Sequence, residues 1–446
     1  VTVVSSPITS PIKSARRGPV VFPDRVFYPG IHLDFASGIH YTKVGALAPT
    51  VAPLTGLFTF TCGNQSMYRA SSGLLVQAVT NTPRIEYNAG GSCLGLLMEA
   101  SRTNLALQSQ TLPTSWATAA CSVSADAGTA PDGTTTADKI VENSAAAQHV
   151  ITQIGITPLV AASVYTVSFF VKAAERFRGR LIFLDSTQTD GVSVNFNLNT
   201  ATVSGAAALG AGTLTASGIE AYANGWYRVW VSGAMNNAKT TGGPYLNLQD
   251  ASGNQSYLGD GASGMLAWGA QLELGAFPST YIPTTTVSVA RTACSAIRTL
   301  STEYSATAGT VVIQGRASGG RDGSNAQTAF DLNDASALNR ISLNRPSAGD
   351  VARFSAITAT VEQGPLDATF VNSSNYKAAM AFALNDLAYS FNGAAVLTDT
   401  VAVLLTATRL ELGSGVVGTL QANGHIRRFD YYPERKSNGF LQAAST

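Results

Sequence analysis

Charged residues are scarce in this sequence: Asp, Glu, Lys and Arg make up 12% of its 446 residues, against about a quarter in an average soluble domain. Amphipathic surface helices draw their outer faces from Glu, Lys and Arg, so the shortage argues against a helical protein. The 28 basic and 27 acidic residues leave a net charge of +1. That balance carries no electrostatic footprint for nucleic acid or an anionic membrane. Long apolar runs are missing as well, with no stretch of about eighteen apolar residues, which excludes a helical membrane span. The opening residues, Val1 to Pro7, lack the basic and apolar regions of a signal peptide. The expectation is a soluble protein, or one assembled inside the cell that makes it.

Cysteine and histidine are equally sparse. Cys62, Cys93, Cys121 and Cys294 have no CxxC spacing and no His at ligand distance in sequence, so no zinc signature exists. Free thiols are the expected state, with disulfides the lesser alternative. His32, His40, His149 and His425 stand alone, and none belongs to an HExxH or GxSxG motif. No Walker or dinucleotide glycine motif lies between a strand and a helix. Two carboxylates can still meet through folding, as glycosidases require. Among Asp185, Asp190, Asp260, Asp331 and Asp334, however, no spacing singles out a pair. The chain is therefore expected not to be an enzyme.

Ala, Ser, Thr, Gly and Asn replace the missing charge, a composition suited to strands, turns and subunit contacts. A chain this long exceeds one ordinary core, and two or three domains are expected. Residues 1–55 read as an extended N-terminal arm. Pro7, Pro11, Pro19, Pro23 and Pro29 recur through it, each removing an amide that a helix or central strand needs. Apolar residues persist between them, which a free tail would shed. Phe22, Phe27 and Tyr28 are thus the expected docking contacts, while Lys13, Arg16 and Arg17 read as a solvated or subunit-contacting patch. Residues 56–108 form a strand-and-turn connector. Over 109–290, short strands alternate with turns at near-regular spacing, which predicts a sandwich or jelly roll. Within it, Trp226 and Trp230 share one face of a period-two run. Residues 291–446 give a second sandwich, where Asn392-Gly393 is a hairpin signal because both residues tolerate positive φ. Only Ser437 to Ala444 looks helical. The fold class is all-β: two tandem β-sandwich (jelly-roll) domains preceded by the arm.

Sugar rings stack on exposed aromatic faces. Trp226, Trp230 and Trp268 lie in alternating strands and read as core anchors. Trp116, Tyr222, Tyr245 and Tyr257 are freer candidates for a glycan platform, with Gln249, Asn254 and Gln255 able to bond hydroxyls. Asp260, set among Gly259, Gly261 and Gly264, reads as a tight turn, and a structural Ca2+ site is the sharper option. Asp322, Asp331 and Asp334 are candidates for a second Ca2+ site. No other cofactor is expected.

Three groups of local sequence together resemble a family of phage and prophage structural proteins. The first runs from Thr59-Phe60-Thr61 through Pro83-Arg84-Ile85-Glu86-Tyr87 to Gly95-Leu96-Leu97-Met98-Glu99-Ala100-Ser101-Arg102-Thr103-Asn104. It departs from the family in Cys62-Gly63-Asn64, where Arg-Ala-Ser is usual. The second runs from Ala130-Pro131-Asp132-Gly133 through Asn224-Gly225-Trp226-Tyr227-Arg228 and Trp268-Gly269-Ala270-Gln271-Leu272-Glu273 to Phe277-Pro278-Ser279-Thr280-Tyr281-Ile282-Pro283. It is similar to a carbohydrate-binding-like jelly roll of tail and fibre proteins. The third, Ala388 to Gly393, Arg409 to Ser414 and Asn423 to Pro433, resembles a concanavalin/laminin-G-like sandwich. The resemblance implies a virion structural protein assembled in the host bacterial cytoplasm. As a tail fibre it would be a homotrimer, docked on other phage virion proteins through the arm and presenting its sandwiches to a host-surface glycan. The alternatives are a head fibre, capsid decoration or tail-wall protein without a receptor role, and a polysaccharide-degrading enzyme. The last predicts two carboxylates about 5 to 9 Å apart.

Overall fold

The computed structural model describes residues 28–446 except 237, 318–325, 348, 373 and 417–419, together with the strand pair Val21–Phe22 and Arg25–Val26. Strands dominate. Among the described residues the α-helices are Leu54–Leu57 and Asn438–Ala444, and no helix is long and apolar enough to cross a membrane.

Two six-stranded antiparallel sheets occupy the middle of the chain. One runs, in spatial order, Ala117–Ala119, Val150–Thr152, Gly242–Gln249, Arg178–Asp185, Gly191–Asn197 and Thr202–Leu209. The other runs Cys121–Gly128, Ala137–Glu142, Gly264–Leu274, Tyr165–Ala173, Tyr227–Ala234 and Thr213–Ala221. Alternation explains their packing, because successive side chains of a strand point to opposite faces. Leu181, Phe183, Val192, Val194 and Leu246 from the first sheet meet Val167, Phe169, Val231 and Leu272 from the second in one buried core. The outer face of the second sheet is covered too. There Phe170, Trp226, Trp268 and Tyr281 pack with Met67 and Leu75 of a neighbouring hairpin. Trp226 and Trp268 are thus fully buried, whereas Trp230 is half-buried, its ring over Gly218.

The second sandwich departs from the expected division of the chain. Its larger sheet pairs Ala308–Ala317, Asn375–Ala383 and Gly424–Tyr432 with strands from far upstream. Ile31–Asp34 and Cys93–Met98 both pair with Gly424–Tyr432, in the registers Ile31↔Tyr431 and Leu96↔Ile426. The opposing seven-stranded sheet ends on Thr59–Thr61, paired with Ser295–Thr299. Residues 31–61 are therefore no docking arm, and 85–98 are no mere connector: both supply strands to the terminal sandwich. Apolar residues that follow Pro29 serve its core, where Ile31, Leu33, Phe58 and Phe60 are buried. Of the expected docking contacts, Tyr28 is exposed beside Lys43. The Phe22 side chain and Phe27 lie outside the described residues.

The middle sandwich is consequently inserted into the terminal one. Arg102–Asn104 enters and Val289–Arg291 leaves, and the two strands pair with each other at the neck. Just outside that pair, Cys62 and Cys294 form a disulfide with Cα atoms 4.6 Å apart, which corrects the expectation of four free thiols. Strand pairing explains it, since Ser295 stands opposite Thr61 and brings residues separated by 232 positions into contact. Cys93 and Cys121 are free.

Glu99 sits buried at the same neck. Its carboxylate accepts from Arg84 Nη1 at 2.8 Å, Arg291 Nη1 at 2.9 Å, and the Thr280 amide and hydroxyl, both at 2.8 Å. Burial works to raise its pKa, but Arg291, Arg84 and Thr280 outweigh it and hold the carboxyl at about 2.

Candidate functional site

The outer face of the Arg178–Asp185 sheet has an unusual composition. On that strand, residues 181 and 183 enter the core, so Arg178, Arg180, Ile182 and Leu184 turn outward. Register then fixes their neighbours. Arg180 stands between Asn195 and Asn247, Arg178 between Asn197 and Gln249, and Ile182 between Ser193 and Tyr245. Directly opposed side chains in such a ladder have Cβ atoms about 5 Å apart. Three continuous rows result, and they divide the face in two.

One half is apolar: Ile182, Leu184 and Tyr245 cluster with Val150, Ile154 and Leu209. The other half is polar and densely bonded. Arg180 donates from Nη1 to Gln255 Oε1 at 2.9 Å and from Nη2 to Ser193 Oγ at 2.7 Å. Gln249 Nε2 donates to Asn195 Oδ1 at 3.0 Å, and Asn247 Nδ2 to Gln148 Oε1 at 3.3 Å. Some capacity is left over: Asn247 Oδ1 and the Nε atoms of Arg178 and Arg180 are buried without a partner. Burial pushes the Arg180 guanidinium down, and its hydrogen-bond acceptors, Gln255 and Ser193, are neutral. Beside the apolar half a groove of about 720 Å³ opens, lined by Leu105, Leu107, Thr152, Ile154, Ile156 and Val287. That volume falls within the range of small-molecule sites.

Of the expected glycan contacts, Tyr245, Gln249 and Gln255 come together here. Asn254 lies beside Gln255 and closes a turn on Asp250, donating from Nδ2 to its carboxylate at 2.8 Å. Tyr257 gives its hydroxyl to Glu142 at 2.6 Å, with Arg176 over its ring. Two candidates stand elsewhere. Trp116 is a core residue, edge-on to Phe169 with its indole N–H on the Leu107 carbonyl. Tyr222 packs against the opposite sheet beneath the Arg69 guanidinium, 4.4 Å away. Arg178, Arg180, Asn195 and Asn247 were missing from the expected set. Their signal was the polar half of the same period-two alternation that marks the strands.

The expected calcium positions do not converge. Asp260 caps its own turn, accepting from the amides of Ala262 at 2.8 Å and Ser263 at 2.7 Å, with Arg176 3.7 Å away. Asp334 is engaged by Ser336 and Asn339, and Asp322 lies outside the described residues. Among the described residues no group of three or more His, Cys, Asp or Glu side chains is placed to hold a metal. Asp331 has a different neighbour, Glu411, directly opposite it on the adjoining strand. Both are fully buried on the outer side of the seven-stranded sheet. Glu411 is held by Arg409 Nη2 at 2.9 Å and Asn333 Nδ2 at 3.3 Å. Neither Asp331 oxygen has a hydrogen bond, and its nearest cation is Arg340 at 4.0 Å. Burial pushes Asp331 up to about 7; Arg340 and the Asn333 side chain oppose the shift, and Glu411 adds to it.

No family model matches this chain. No curated protein matches it either. Solved structures do, at low similarity. The carbohydrate-binding module CBM40 of the Ruminococcus gnavus IT-sialidase, bound to α2,3-sialyllactose, is 16% identical, with 32% of this chain and 84% of that one covered and a TM-score of 0.27. Domains LG4-5 of the mouse laminin α1 chain are 9% identical, covering 64% and 84%, at a TM-score of 0.21. A Trypanosoma rangeli sialidase in complex with sialic acid is 10% identical, covering 72% and 62%, at 0.26. Scores this low assign neither ligand nor reaction to this chain. The expected kinship is not supported among these structures: those named are carbohydrate-binding, laminin and sialidase chains, and none of them is a phage protein. The reading as a tail fibre or other virion component is set aside with that kinship. The expectation of a chain without enzymatic activity is not kept either: sialidases are among the structures named, at scores too low to assign their reaction to this chain.

Proposed function

We propose that this protein binds glycans through the outer face of the Arg178–Asp185 sheet. The reading rests on one juxtaposition, an apolar half around Ile182, Leu184 and Tyr245 set against a row of amides and guanidiniums. Of these, Ile182, Leu184, Tyr245, Asn247 and Gln249 are buried in the free chain, so a ligand would have to uncover them. Sugars need that combination: their C–H faces pack on apolar and aromatic surface, while their hydroxyls require fixed donors and acceptors. None of the face's side chains is a carboxylate, so this site binds and does not cleave. Each sandwich is read further as a jelly roll, supported in the inserted one by a chain that passes repeatedly between its two sheets.

Binding to an oligosaccharide array, followed by calorimetry on the best ligand, tests the proposal. Asn247→Ala and Gln249→Ala are expected to weaken affinity at least about tenfold each, which corresponds to about 1.4 kcal/mol. Full affinity in both variants would remove this face from consideration.

Cleavage of a polysaccharide is the second reading, supported by Asp331 and Glu411. Retaining hydrolysis needs two carboxyls about 5 Å apart, one of them protonated at neutral pH. In-register neighbours supply such a spacing, and Asp331 has the raised pKa. Both groups are covered in the free chain, so substrate would have to uncover them. Release of reducing ends that Glu411→Gln abolishes is the expected sign. Absence of release from every polysaccharide the protein binds would count against it.

A further inference from the structure

The polar half of the binding face carries two guanidiniums, and the acid in the adjoining turn, Asp250, is bonded to Asn254. Arg178 and Arg180 lie two residues apart on one strand, about 7 Å between Cα atoms, and their side chains share a face. Among the described residues neither makes an ion pair, whereas other arginines of the inserted sandwich do: Arg176 with Glu142, and Arg102 with Glu273. Arg228 also lacks an acid, but it is committed to the core, bonding Ser168 Oγ and the Ser279 carbonyl. Arg180 is held in place by neutral acceptors alone, Gln255 and Ser193. Such bonds orient the group without cancelling its charge. Two like charges kept side by side and partly out of water cost stability unless an anion joins them.

Resting on the glycan-binding reading, we propose that this face selects carboxylate-bearing sugars, with Arg178 and Arg180 as the residues that receive the carboxylate. The chemistry is specific. A guanidinium presents a planar fork that matches a carboxylate in two parallel hydrogen bonds. Arg178 has no partner across its fork, and its Nε is buried without one. The half-buried Asn195 and Gln255 stand beside the two guanidiniums to bond hydroxyls of the same ring, with Asn247, Gln249 and the apolar half buried behind them. The carboxylate can come from a terminal sialic-type residue or from an internal uronic acid, because the fork reads the group rather than its ring.

The test uses the full chain and four probes: a sialylated oligosaccharide, a uronate oligosaccharide, and each of these with its carboxyl reduced to the alcohol. At least one acid is expected to bind ten or more times tighter than its reduced counterpart, and that ratio should fall as salt is raised. Arg178→Gln should bring the ratio to within about twofold of one, whatever it does to affinity for the reduced sugar, because the ratio compares two ligands on the same protein. Arg178→Lys, which keeps the charge and loses the fork, should retain part of the ratio and so separate recognition from misfolding. Equal binding of acid and alcohol by the wild type overturns the selection but leaves glycan binding standing. No binding to any probe or to neutral glycans overturns both.

Discussion

Asp331→Asn should make the protein more stable at neutral and alkaline pH. Asp331 is fully buried, has no hydrogen bond to either oxygen and faces Glu411 across the sheet. Its folded pKa of about 7 stands above the ordinary 3.8. A raised pKa means that the fold prefers the neutral acid. Stability from this group is complete below about pH 4 and drains away as pH rises through 7. A rise of about three units corresponds to about 4 kcal/mol once ionisation is complete near pH 8. The amide that replaces the carboxyl in the variant is neutral throughout and escapes that loss. Urea unfolding of the two proteins at pH 4.5, 6 and 8 measures the effect. The difference between them cancels the titrating groups remote from Asp331, including Glu99. It should be about 1 kcal/mol at pH 4.5 and grow towards about 4 kcal/mol in favour of the variant at pH 8. A variant that is less stable at pH 8, or a difference that does not change with pH, would refute the burial argument.

Other consequences concern the neck. Glu99→Gln leaves Arg84 and Arg291 buried without their shared carboxylate and should cost about 3 kcal/mol or more. Because the Glu99 pKa is depressed to about 2, the wild-type advantage should shrink as pH falls from about 4.5 towards 2, as chemical denaturation across that range can record. Reducing Cys62–Cys294 opens a loop of 232 residues, worth at most about 5 kcal/mol by chain entropy. Calorimetry should therefore show a lower Tm with reductant, and no reductant effect in a Cys62→Ala/Cys294→Ala chain. Gly95 has φ +127°, and an added Cβ would run into the Ile426 carbonyl oxygen. Gly95→Ala should thus destabilise the terminal sandwich by more than about 1 kcal/mol. A neutral result in equilibrium unfolding would contradict the pairing of 93–98 with 424–432.

Local pattern made the strands legible and long-range pairing hid their partners. The alternation Val192-Ser193-Val194-Asn195-Phe196-Asn197 announces a strand whichever sheet receives it. Asn392 and Gly393 take positive φ as their types suggest. Ser437 caps the last helix by accepting from the Phe440 amide. Nothing near Ile31, by contrast, says that its partner is Tyr431. Prolines between apolar residues suggest an arm, yet the strand that follows Pro29 lies inside its sheet, between Gly424–Tyr432 and Ile39–Thr42. The insertion, the disulfide and the Glu99 cluster all follow from pairings between distant residues, so none was readable locally. At the site, Tyr245 and Gln249 were legible as an aromatic and an amide two positions to either side of Asn247. Arg178 and Arg180 were not, because a charged residue at an outward strand position normally means only solvent. Their significance depends on their making no ion pair among the described residues, which only the assembled sheet reveals.

Amide hydrogen exchange with and without a saturating bound oligosaccharide, an acidic one first, tests the central claim most directly. Bound ligand should slow exchange in Arg178–Asp185, Gly191–Asn197, Gly242–Gln249 and the turn through Gln255, while leaving the sheet on the far side of the inserted sandwich unchanged. Protection confined to the terminal sandwich, around Asp331 and Glu411, would contradict the account and move the binding site there.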